Sequence, residues 1–135
     1  MDKYLEFVLT CRIKKDVSSE ILAALTYMTR SEDYEFDTNI DNPLFSEDTY
    51  WRSILENSPR TGEEIVPGVF GTIFKNFDLS VRQFVHEDEF WNTWTYLGDW
   101  LSAISEPTGF VGYYKNLVDW EPTLIYFKEE GLVVL

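Results

Sequence analysis

The sequence predicts an α+β fold: one mostly antiparallel, twisted sheet with two main helices packed on one face. The element order it predicts is β-α-(α)-β-β-α-β-β-β. Three observations lead there. Apolar residues alternate along several short segments, as half-buried strands require. Two longer segments carry apolar residues at helical spacing. Short turns join most of the strands, which favours antiparallel pairing, and the helices are too few to cover both faces of a parallel sheet.

The first strand is read from Leu5, Phe7, Leu9, Cys11 and Ile13, which alternate with Tyr4, Glu6, Thr10 and Arg12. Val8 is an aliphatic residue on the otherwise polar side. Asp16 to Ser19 supply turn and cap chemistry, with Ser18 as the expected N-cap. Ile21, Leu22, Leu25 and Met28 then keep helical spacing, so residues 19–30 read as an amphipathic helix.

Residues 31–68 read as an acidic, irregular insertion within a single domain spanning 1–135. Ser46 is placed to cap a short helix inside it, with Tyr50, Trp51, Ile54 and Leu55 on one face. Two Pro and two Gly mark residues 57–68 as loop.

Phe70, Thr72 and Phe74 form one face of a strand, and Leu79, Val81 and Val85 one face of the next. With Lys75 to Asp78 turning the chain, residues 69–86 read as a hairpin. Glu87, Asp88 and Glu89 suit the positive end of a helix. Its stripe is Phe90, Trp94, Leu97, Leu101 and Ile104, widened by Trp91 and Trp100. Gly98 costs that helix ~1 kcal/mol against Ala, so another element is expected to pack closely there. Pro107 and Gly109 close the helix, and the runs Phe110–Lys115, Thr123–Lys128 and Leu132–Leu135 read as the last three strands.

A length of 135 residues fits one domain and supports a core without a disulfide or metal. Ten Phe, eight Tyr and five Trp make that core aromatic. The net charge of −13 is unevenly spread. Residues 1–30 hold four acids and five bases, residues 31–66 ten acids and two bases, and residues 67–135 ten acids and four bases. Such a surface repels nucleic acid and anionic membranes, and the linear sequence offers no basic stripe to neutralise phosphates. Neither partner is expected. MDKYLEFVLT lacks the pattern of a signal peptide, and no run reaches the 18 or more apolar residues of a membrane helix, so the expected location is cytoplasmic. No motif implies a cofactor.

Four constellations could carry chemistry. Asp37, Asn39, Asp41 and Asp48 fall at positions 1, 3, 5 and 12 of a calcium loop. The loop departs from that pattern where Asn42 replaces the turn Gly, where Pro43 stands at position 7, and where Asp48 replaces Glu. A solvated acidic loop explains it better. His86 beside Glu87, Asp88 and Glu89 reads as a strand end and then a helix start, since no second His or Cys completes a metal site. Cys11 lies in an apolar alternation, unlike a reactive thiol. The aromatic residues form the fourth group. For Trp91, Trp94 and Trp100, core packing is the expected role. Tyr113, Tyr114 and Trp120, near Asp119 and Glu121, read equally as interface anchors or as the cover of a sheet.

The leading functional expectation is a small acidic module that docks a basic protein. Its acidic surface would include Glu32, Asp33, Glu35, Asp37 and Asp41. Small acidic immunity and inhibitor proteins share this size and charge, but no motif links them to the chain. One alternative is a small-ligand or carboxylate-based enzymatic domain with a pocket between sheet and helices. The other is calcium bound at 37–48.

Overall fold

In the computed structural model, residues 4–29, 54–55, 71–116, 118 and 121–135 are described. They form β1 (Tyr4–Arg12), α1 (Ser19–Met28), β2 (Gly71–Lys75), β3 (Asp78–His86), α2 (Glu87–Ile104), β4 (Gly109–Asn116), β5 (Thr123–Lys128) and β6 (Gly131–Val134). The six strands make one open sheet in the order β2-β3-β1-β4-β5-β6, and every neighbouring pair is antiparallel.

The period of two along β1 decides what each face holds. Leu5, Phe7, Leu9 and Cys11 are buried, and Ile13 continues the series just past the strand. Across β1 and β3 these pair with Val85, Gln83, Val81 and Leu79, so the buried residues of the two strands share one face. Gln83 is the polar member of that row, and the apolar alternation does not reveal it. The β2–β3 hairpin turns at Asn76 and Phe77, both with positive φ (53° and 69°). This is the backbone that matches strand twist in a two-residue hairpin loop. The Phe77 carbonyl also accepts the Ile13 N–H at 2.7 Å, which ties the turn to the end of β1.

Both helices start where the sequence places them. The Ser18 Oγ accepts the Ile21 N–H at 3.3 Å. The His86 Nδ1 accepts the Asp88 N–H at 3.2 Å, with Glu87, Asp88 and Glu89 in the first turn. The His86 and acid cluster is therefore a helix start. On α2, Phe90, Trp94, Leu97, Leu101 and Ile104 are all buried. Phe7 meets the rings of Phe90 and Trp94, each at 5.4 Å between centroids. On α1, Ala24, Leu25, Tyr27 and Met28 are buried, while Ile21 and Leu22 only border the core. Ile54 and Leu55, also helical, are fully buried in the same cluster, and the Thr72 hydroxyl donates to the Ile54 carbonyl at 3.4 Å.

Two glycines are positions of close approach. A Cβ on Gly98 would sit 2.9 Å from a Leu132 methyl, so α2 packs directly on β6 there. A Cβ on Gly112 would run into the Val8 carbonyl oxygen and lie 2.8 Å from the Leu9 Cα. The β4–β5 register shifts between Phe110 and Gly112, and Val111 is buried at this bulge. No helix among the described residues is long and apolar enough to cross a membrane.

Candidate functional site: an aromatic notch at the start of α2

The end of β3 passes directly into α2, so the first turn of the helix stands over the β1–β4 end of the sheet. Phe90 points into the core. Trp91 is one residue on, about 100° around the helix, and leaves the buried stripe. It is 49% exposed. Its indole meets the Phe90 ring at 5.0 Å and the Tyr114 ring at 5.3 Å, both edge to face. Tyr114 comes from the covered face of β4, opposite Phe7, and also contacts Phe90 and Trp94.

The Trp91 and Tyr114 rings form one wall of a notch of about 230 Å³. Leu5, Asn116 and Thr123 line it, Glu87 and Glu121 bring carboxylates to it, and Lys115 borders it with its side chain on the other face of the sheet by register. Burial pushes the Tyr114 hydroxyl above its ordinary pKa, against a hydrogen bond with Thr123 that lowers it. Aromatic surface ringed by carboxylates can hold a cation, by attraction to the ring face and by charge.

A larger cavity, about 580 Å³, opens at the other end of α2. Lys14, Lys128, Asp99, Glu129 and Glu130 line it, mixing both charges, and no aromatic side chain does. Among the described residues, no group of three or more His, Cys, Asp or Glu is placed to hold a metal ion.

The expected anchors are split by the sheet. Tyr114 belongs to the notch, whereas Tyr113 faces the opposite side, paired with Val8 and Leu124. There, burial raises the Tyr113 hydroxyl pKa first and the nearby Glu6 charge second, with Arg82 opposing. Trp120, the acidic residues Glu32, Asp33, Glu35, Asp37 and Asp41, and the calcium-loop positions Asn39 and Asp48 all lie outside the described residues.

Cys11 and His86 stand seven residues apart along the β1–β3 register, about 23 Å at strand spacing. Burial pushes the Cys11 thiol up to about 11, and the Ser105 hydroxyl donates to its sulfur at 3.5 Å. It is a packed thiol, out of reach of His86.

Trp91 is the residue whose role the sequence misplaces. Its neighbours in the stripe make a core role the expectation. The signal is its offset: it comes one position after Phe90 and lies outside the i, i+4, i+7 series. Comparisons with known protein families, with curated proteins and with solved structures found no match to this chain.

Proposed function

We propose that this chain is a protein-binding module that docks a basic partner. One observation carries the reading: a half-exposed Trp91 walls a notch edged by Glu87 and Glu121 in a chain of net charge −13. Trp and Tyr in well-packed surroundings are the residues that dominate interface energies. Trp91 is held by Phe90 and Tyr114, so little side-chain freedom is lost when a partner covers it. The net negative charge steers a basic partner and speeds encounter. The acidic segment with Glu32, Asp33, Glu35, Asp37 and Asp41 adds to this steering.

The test starts from a partner captured with the intact chain from its native host. Trp91→Ala should weaken that complex by about tenfold or more, the cost of losing an anchor. Reversing three of the five acids should lower the association rate, most at low salt. A complex indifferent to salt, to the reversals and to Trp91→Ala removes the proposal.

A second reading has its own observation. The cavity at the C-terminal end of α2 falls within the ~300–1,000 Å³ of small-molecule sites. Under that reading a polar ligand would meet Lys14 and the carboxylates of Asp99, Glu129 and Glu130, and Lys14→Ala with Asp99→Asn would abolish its binding.

A further inference from the structure

We infer that the notch at the start of α2 receives an arginine side chain of the partner, in preference to lysine. The inference rests on the binding-module reading and specifies the chemistry of its anchor. Size comes first. At about 230 Å³ the notch is smaller than the ~300 Å³ at which small-molecule sites begin, so it suits one side chain.

Charge sets the sign of that side chain. A helix N-terminus ordinarily draws an anion. Here Glu87, Asp88 and Glu89 fill the first turn, and the His86 side chain already takes the Asp88 N–H. Glu87 and Glu121 then stand at the notch itself, while the side chain of Lys115 falls on the other face of the sheet by register. The excess is negative, and the occupant is a cation.

Shape separates the two cations. The rings of Phe90 and Tyr114 meet Trp91 at 78° and 89°, so neither stacks parallel on the indole. A guanidinium is flat, weakly hydrated, and able to lie on an indole while its edge N–H groups donate to carboxylates. Glu87 and Glu121, which line the notch beside Trp91, supply carboxylate acceptors. An ammonium is compact and strongly hydrated and cannot use the stack and the acceptors together.

The experiment uses the intact chain and three short peptides that differ at one position: arginine, lysine, or citrulline, the neutral isostere of arginine. The readout is the indole N–H resonance of Trp91, assigned with Trp91→Phe. The arginine peptide should shift that resonance and bind about fivefold tighter than the lysine peptide. The citrulline peptide should leave it unmoved. Glu87→Gln with Glu121→Gln should weaken the arginine peptide about tenfold. Equal binding of arginine and lysine, or of arginine and citrulline, overturns the inference. So does an arginine peptide that leaves Trp91 unmoved. A polylysine arm separates this from the broader reading. Salt-sensitive polylysine binding with no response at Trp91 leaves the acidic module standing and refutes the arginine site. If neither the peptides nor polylysine bind, both fall.

Discussion

The two faces of the sheet are written in alternate residues of the same strands, and they carry different physics. The covered face holds Leu5, Phe7, Leu9 and Cys11 from β1, with Leu79, Val81 and Val85 from β3, under α1 and α2. The open face holds Glu6, Val8, Thr10 and Arg12 from β1, with Asp78, Ser80 and Arg82 from β3. Lys75, Lys115 and Lys128 fall on the same open side by register. Five of the seven described bases therefore gather there, against two strand acids, Glu6 and Asp78. Among the described residues of a chain of net charge −13, the open side is thus base-rich, which no linear run of bases announces. Large apolar side chains also stand on that side, with Ile73 68% and Phe110 57% exposed. Packing energy is concentrated on the covered face, and weak, screened charge pairs on the open one.

The largest expected effect tests the covered face. Phe7→Ala removes a fully buried ring that contacts Phe90 and Trp94 and should cost about 3–5 kcal/mol. Val8→Ala, one residue along and facing the open side, should cost less than about 1 kcal/mol. Urea unfolding of both variants gives the comparison directly. Similar losses at the two sites would mean that the open face is packed against something in solution.

This alternation makes the fold legible. Period two places β1 and β3, short β-rich runs between turns place the last three strands, and helical spacing places α2 with its whole stripe. The chemistry of Ser18 marks it as a cap, and its hydroxyl holds the Ile21 N–H. The cost of Gly98 in a helix points to a close contact, and Leu132 makes that contact. Strand order is not legible, because pairing joins segments far apart in sequence and their patterns are alike. Gly112 shows the limit: its need for the Val8 backbone to pass close by exists only once β4 lies beside β1. The notch is half legible. Tyr114, with Glu121 nearby, reads equally as an anchor or as the cover of a sheet, and Trp91 reads as core, because a widened stripe hides a residue at its margin. That Tyr113 and Tyr114 part to opposite faces comes from the strand period alone.

An intermediate effect tests how dry the covered face is. A thiol in the unfolded chain loses its proton near pH 9.0, while burial holds the Cys11 proton to about 11 in the folded protein. Below pH 9.0 both states are protonated, and nothing is lost. Between the two values the unfolded chain has released a proton that the native chain keeps. Stability should therefore fall with rising pH, by ~1.4 kcal/mol per unit from this residue. Cys11→Ala should flatten that slope between pH 9.0 and about 11. Alkylation by iodoacetamide at about pH 8 should be slow in the native protein and fast in urea, because the thiolate is the nucleophile and burial withholds it. Rapid native alkylation, or an unchanged slope in Cys11→Ala, would show that water reaches the base of β1.

The smallest effect belongs to the open face, and it sharpens the contrast. Arg12 and Asp78 are directly opposite in the β1–β3 register, with the guanidinium 2.9 Å from the carboxylate. Their side chains are 45% and 60% exposed. Such a pair gains little, since water screens it and two side chains must be held in one geometry. A double-mutant cycle with Arg12→Ala and Asp78→Ala should give a coupling of ~0.2–1 kcal/mol. Raising the salt to molar levels, where screening acts within ~3 Å, should shrink it further. Arg82 and Glu6, 3.7 Å apart, should behave alike. A coupling above about 2 kcal/mol, or one that ignores salt, would be the signature of desolvated charge. The open face would then be shielded from water in solution, and the division between the two faces would have to be redrawn.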